Sequence, residues 1–246
     1  AFYLLFKEKY LLSSVVAGIA ILSKQNILVI YLLFYFVLLY RVGIKKTLLY
    51  GLLNILIFFL SYFPFNPTSF TWPFSFYIFT LDITGFLVQD DAINIWGSLF
   101  NFEGVDSRDV GFLISWANWG YLLFGITNLT SIYFYLKRKF SIENTIYLMF
   151  LTATSYFYFL TRMHERYLLP AVVFACLLFL VNRKYWFNYL FLTIFFFINL
   201  YKGLLQPDIP PINFIIKNIY ILNILVLSYG VMLLANVYNF VKLKDE

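Results

Sequence analysis

Charge is what this sequence has least of. Asp, Glu, Lys and Arg make up 12% of its 246 residues, where soluble globular domains carry about a quarter. A single cysteine, Cys176, rules out a disulfide framework and a thiolate metal site. Its place in an apolar run marks it as a buried helical thiol. With one histidine, His164, a multi-histidine zinc site is excluded, and any metal would need carboxylates to complete its shell. The net charge of +6 comes with no basic stripe interleaved with aromatics, which excludes a nucleic-acid partner. Neither a cleavable leader, an internal repeat nor a low-complexity linker stands out, so one domain over 1–246 is expected. The chain opens on Ala1 without an initiator methionine, which predicts further residues upstream.

Apolar bulk fills the space that charge leaves. Hydrophobic residues reach 62%, mean hydropathy is +0.81, and there are 31 Phe and 21 Tyr. Spread over a water-soluble globule, these would expose apolar patches far beyond the few hundred Å² that soluble monomers tolerate. A bilayer removes that conflict. Its hydrocarbon core of about 30 Å asks for about 20 apolar residues per helix. Candidate spans fall near 10–23, 26–40, 47–63, 111–136, 143–161, 167–182, 186–202 and 214–241. The expectation is therefore an all-α, polytopic transmembrane bundle of about eight spans, or seven if the first two form one helix through Lys24-Gln25. A long external loop is expected at 64–110.

Lys and Arg set the orientation, because cytoplasmic loops are enriched in them. Lys7, Lys9, Arg41, Lys45, Lys46, Lys137, Arg138, Lys139, Arg183, Lys184, Lys242 and Lys244 fall in alternate connections, which places those connections and the C-terminus inside. The other set holds Lys24, segment 64–110, the turn Thr161–Arg166 and segment 202–213. Segment 64–110 is acidic, with Asp82, Asp90, Asp91, Glu103, Asp106 and Asp109 against Arg108 alone. It is too long for a plain connection and is expected to be functional or re-entrant.

Thr161-Arg162-Met163-His164-Glu165-Arg166-Tyr167 packs four ionisable groups into five positions between two apolar runs. If helical, Arg162, Glu165 and Arg166 share a face. Two guanidinium groups grip a phosphate bidentately while Glu165 fixes one of them. The plainer alternative is an interfacial salt-bridge cluster anchoring two helices.

Met163-His164-Glu165-Arg166-Tyr167-Leu168, followed by Leu169-Pro170-Ala171, resembles the signature near the end of the catalytic module in GT-C membrane glycosyltransferases, which use polyprenyl- or dolichyl-phosphate-linked sugars. Leu22-Ser23-Lys24-Gln25 is similar to a family step that opens a helix. Ala92-Ile93-Asn94-Ile95-Trp96-Gly97 is similar to a family segment that precedes a span. The likeness covers roughly residues 10–180. It implies a C-terminal part of such an enzyme, with Arg162, His164, Arg166 and Lys24 at the donor phosphate and Glu165 orienting them. The family's catalytic base is an acidic residue in the first external loop, which this protein would carry upstream of residue 10 or on another chain. The implied partners are a polyprenyl- or dolichyl-phosphate sugar, a glycan, lipid or protein acceptor, and membrane lipid.

Segment 64–110 would then shape the acceptor cleft through Trp72, Asp90, Asp91, Asn94 and Trp96, with either tryptophan stacking on a sugar. Against this, tryptophans at such positions commonly anchor a helix at the interface. Asp90-Asp91 leaves a divalent cation open, although adjacent carboxylates more often form a solvated turn or cap; no other cofactor is implied. Asn128-Leu129-Thr130 matches a glycosylation acceptor pattern by chance, since it sits mid-span. Asn118, Thr127, Thr152, Thr154 and Ser155 read as interhelical hydrogen-bonding groups. Two rival readings are a noncatalytic subunit on the same scaffold and a transporter; ionisable groups at span ends disfavour the latter. The Phe, Ile, Lys, Asn and Tyr bias favours a prokaryotic plasma membrane over an endoplasmic reticulum.

Overall fold

The computed structural model describes the chain apart from residues 24–26, 67–68, 70, 73, 76–91, 139, 204–208 and 243–246. Among the described residues the regular structure is helical, and an isolated bridge between Val110 and Ser115 is the sole β pairing. Where one domain is expected, the chain divides into two compact units, Ala1–Gly85 and Phe86–Glu246. The division falls inside the polar, proline-bearing segment 64–110, where helix-forming apolar periodicity lapses.

The first unit holds α1 (Phe2–Phe6), α2 (Tyr10–Ser23) and α3 (Leu28–Tyr62). α3 is not one rod. At Gly43 the backbone takes φ 76° and ψ 169°, a conformation essentially closed to residues with a Cβ. The chain doubles back there, because the amide of Asn54 meets the Tyr31 hydroxyl at 3.1 Å and also bonds Tyr35. Along an uninterrupted helix, residues 31 and 54 would stand about 34 Å apart. The same reasoning separates α2 from α3. Ser14 and Tyr35 hydroxyls lie 2.8 Å apart, whereas one continuous helix through residues 24–25 would hold them about 32 Å apart. The seven-span alternative is thereby removed, and three antiparallel legs meet at a polar node of Ser14, Tyr31, Tyr35 and Asn54. Gly18 leaves room for that node: a Cβ there would fall 2.5 Å from Asn54 Oδ1. At the far end Arg41 pairs with Glu8 at 3.2 Å, close to the bend.

The second unit contains α4 (Ile95–Leu99), α5 (Trp116–Leu136), α6 (Ile142–Phe159), α7 (Leu169–Val181), α8 (Trp186–Gly203), α9 (Pro210–Lys217) and α10 (Ile219–Lys242). Ser115 and Ser141 cap α5 and α6 by accepting the amides of Asn118 and Asn144. α9 and α10, read from sequence as one run, are separate because Asn218 is extended and its side chain caps α10 through Tyr220 and Ile221. The apolar run proposed from 111 starts its helix only at 116, since 110–115 turns back on itself.

α5, α6, α7, α8 and α10 alternate in direction. Tyr147, near the start of α6, packs on Tyr185 and Phe240, and the Arg138 guanidinium lies 4.4 Å from the Phe240 ring. Lys137, Arg138, Arg183, Lys184 and Lys242 thus collect at one end of this unit. The opposite end carries the 161–166 turn and the irregular stretch 100–115.

The mainly apolar interior also holds polar side chains, and part of the surface is apolar. Asn94, Thr152, Thr154, Ser155, Asn188, Asn199 and Asn236 are buried, while Tyr220, Ile224, Leu227, Val231, Leu234 and Tyr238 form an exposed stripe along α10. Spacings of four, three, four, three and four residues put that stripe on one helical face. Inside, Asn188 and Asn236 exchange reciprocal amide bonds of 2.7 and 3.0 Å, and the Tyr147 hydroxyl donates to Asn236 Oδ1 at 2.9 Å. Among the described residues two helices, Leu28–Phe65 and Ile219–Lys242, are by length and composition apolar enough to cross a membrane; the bend at Gly43 divides the first of them into two legs.

The bend gives a direct test. A Cβ at Gly43 would meet nothing within 4 Å, so Gly43→Ala should destabilise through backbone strain alone, by about 1–3 kcal/mol. Gly51→Ala in the second leg, whose Cβ would make an ordinary 3.9 Å contact with Tyr35, should be neutral or stabilising by up to about 1 kcal/mol. Unfolding of the two variants in detergent measures the difference, and an unchanged Gly43→Ala would remove the bend.

Candidate functional site

The 161–166 turn does not form the helix that its spacing allows. Arg162 adopts φ +60°, a left-handed conformation costing an L residue roughly 1–2 kcal/mol. His164 is extended, and a tight helical turn starts only at Glu165. Arg162, Glu165 and Arg166 therefore do not share a helical face, and the three reach their surroundings separately.

Glu165 is the buried member, 4% exposed. Its carboxylate lies 3.7 Å from Arg166 Nη1. Gly203 closes over it: a Cβ at 203 would come within 2.8 Å of the Glu165 carboxylate, so α8 ends where this acid needs space. The Glu165 carbonyl accepts from Asn199 Nδ2 at 2.8 Å, and Asn199 Oδ1 accepts from Ile93 N–H at 2.7 Å. One fully buried amide on α8 thereby holds both the turn and the approach to α4.

The other three residues keep access to the surface. Arg166 exposes about half of its side chain, 53%, and leans over Tyr167 at 5.9 Å. His164 is half-buried and meets the Tyr167 ring edge-on at 5.0 Å. Arg162, also half-buried, donates from Nε to the buried Ser107 hydroxyl at 3.3 Å. Two residues before its own guanidinium, Asp106 is held at a pKa of about 2, chiefly by the side chain and backbone N–H of Arg108, and Arg162 adds a smaller attraction. This depressed carboxyl stays ionised until pH falls through about 2, and its charge is met first by Arg108 and only weakly by Arg162. The contribution of Ser107 and Asp106 was not legible beforehand, because nothing local in the sequence ties 107 to 162.

Asn94 and Trp96 correct the cleft expected from 64–110. Both are buried, at 0% and 2% exposure. Asn94 Oδ1 caps α4 by accepting from Trp96 and Gly97, while its Nδ2 donates to the carbonyls of Phe157 and Leu160 at the end of α6. Trp96 Nε1 donates to Phe159 at 2.6 Å. Their polar atoms satisfy backbone that a helix end would leave orphaned, and the Trp96 ring has no open face for a sugar. Trp72 is half-buried in the first unit, edge-on to Tyr62 at 6.0 Å. Lys24, Asp90 and Asp91 lie outside the described residues. Among the described residues no group of three His, Cys, Asp or Glu gathers where it could hold a metal.

Comparison with protein families, characterised proteins and solved structures finds no match for this chain.

Because Asn94 serves four backbone groups at once, Asn94→Ala should lower stability by about 2–4 kcal/mol. Trp96→Phe, which keeps the ring volume but loses one bond, should lose about 1–2 kcal/mol. Denaturant titration in detergent reads both; equal and negligible effects would mean the tie between α4 and α6 is not made.

Proposed function

We propose that this chain is the C-terminal part of a multi-pass membrane glycosyltransferase that moves a sugar from a polyprenyl-phosphate-linked donor to an acceptor on the noncytoplasmic face. The support is the turn itself. Arg166 is exposed beside a buried, anchored Glu165, with half-buried Arg162 and His164 close in sequence, at the end of the unit opposite Lys137, Arg138, Arg183, Lys184 and Lys242. Among the described residues each end carries five Lys and Arg, but Glu103, Asp106, Asp109 and Glu165 offset those at the turn's end while Glu143 alone faces Lys137, Arg138, Arg183, Lys184 and Lys242, and we read the net positive end, with the C-terminus, as the cytoplasmic one. The buried polar and exposed apolar pattern agrees with lipid as the surrounding solvent.

Glycosyl transfer from a phosphate-linked donor builds positive charge on the sugar and negative charge on the departing phosphate. Guanidinium groups at that phosphate stabilise the transition state more than the ground state. Arg166, oriented by Glu165, is the principal donor-phosphate residue. Arg162 supports it from Ser107, and His164 donates a hydrogen bond or passes a proton. Lys24 and the acids Asp90 and Asp91 complete the reading as donor and acceptor residues respectively, while Asn94 and Trp96 act as scaffold. An acidic base is supplied from upstream or from another chain, and a prokaryotic plasma membrane is the proposed location.

In the full-length protein, Arg166→Ala should lower lipid-donor transfer by about a hundredfold or more at unchanged expression. Arg166→Lys, which retains charge but not the two-pronged grip, should fall between. Undiminished turnover in Arg166→Ala would reject the role. Sidedness has its own test: with Cys176 replaced by Ala, an impermeant maleimide should label Glu103→Cys in intact cells and Lys137→Cys only after permeabilisation. The reverse pattern would put the turn on the wrong side.

A further inference from the structure

At the cation-rich end of the second unit a groove of about 1300 Å³ runs between α6, α8 and α10. From Ile224 to Lys242 it follows eighteen residues of α10, about 27 Å of helix, of which Val231 to Lys242 takes about 16 Å, close to the roughly 15 Å of one leaflet. Its lining changes character along that length. Phe187, Phe191, Ile224, Leu227 and Val231 form the apolar stretch. Asn144, Lys184, Asn239 and Lys242 stand at the rim. Among the described residues Glu143 is the one acid lining the groove, and it is already met by Lys184 at 3.0 Å, by the Tyr185 hydroxyl at 2.9 Å and by Asn182 at 3.3 Å. Lys242, with its ammonium 4.5 Å from the Tyr238 ring, leaves the described rim net positive.

We propose that this groove binds one anionic membrane lipid, headgroup at Lys242 and Asn239, acyl chain along Phe191, Leu227 and Val231. A long slot that is apolar over most of its length and cationic at one mouth has the shape of an upright amphiphile. The positive mouth selects an anionic headgroup over a zwitterionic one. Val231 and Leu227 are 68% and 64% exposed, so the acyl chain would cover side chains that the protein itself leaves bare. Its cationic mouth lies at the opposite end from the 161–166 turn, and none of its lining residues is a proposed donor-phosphate residue. It rests on the bilayer reading and not on transfer chemistry.

The test is native mass spectrometry of the full-length protein released from nanodiscs containing equal phosphatidylglycerol and phosphatidylcholine of identical acyl chains. Wild-type protein should retain one phosphatidylglycerol in preference. Lys242→Gln, a surface change that leaves the fold intact, should reduce that preference about fivefold, as one lysine near an anionic headgroup contributes about 1 kcal/mol. Val231→Trp, filling the apolar half, should abolish retention of either lipid. Equal retention of both lipids by wild-type protein would overturn the site, as would an unaltered preference in Lys242→Gln. A crosslinker placed at position 231 that captures a polypeptide instead of lipid would also overturn it. Failure of the protein to stay in the nanodisc would overturn the bilayer reading and this site with it, whereas loss of transfer in Arg166→Ala bears on neither lipid result.

Discussion

The buried amide of Asn199 is the interaction on which the candidate site depends. It donates to the carbonyl of Glu165 and accepts from the N–H of Ile93, so two irregular segments distant in sequence share one side chain on α8. Buried backbone outside a helix has no water to complete its hydrogen bonds, and each unmet group there costs about 1–3 kcal/mol. The protein answers with amide side chains. Asn94 does for the end of α6 what Asn199 does for the turn, whereas Asn54 in the first unit ties side-chain hydroxyls of Ser14, Tyr31 and Tyr35 together.

Amides suit this work because one group offers both donors and acceptors without carrying charge into an apolar interior. Charge is admitted where it is paired or near an end. Glu165 sits beside Arg166, and Arg138 is spread over the Phe240 ring and bonded to the Phe240 carbonyl. The result is an apolar interior in which these amides are paired with one another or with backbone, while apolar stripes such as that on α10 stay exposed.

Helices were the most legible part of the sequence, because apolar runs separated by Lys and Arg pairs mark where the longer ones lie, although short helices such as α1 and α4 were not read. α2, α6 and α8 fall within about two residues of the runs read from composition. The turn at 161–166 was equally plain as a concentration of charge. Its internal geometry was not: the left-handed Arg162 depends on Ser107, over fifty residues away, and no local periodicity records that contact. Asn94 and Trp96 were misread for a related reason. A polar amide and an indole before a helix look the same in sequence whether they line a cleft or stitch backbone together, and only the carbonyls of Phe157, Phe159 and Leu160 distinguish the two.

The reciprocal pair of Asn188 and Asn236 carries a mechanical consequence. Each amide uses its partner's donor and acceptor together, so sliding α8 along α10 by a single residue, about 1.5 Å, or turning it by about 100° would break both bonds where nothing replaces them. Greasy helix faces by themselves tolerate many such offsets. The pair therefore acts as a latch on vertical alignment, fixing the level of Gly203 against Glu165 at one end and of Lys242 against Lys184 at the other.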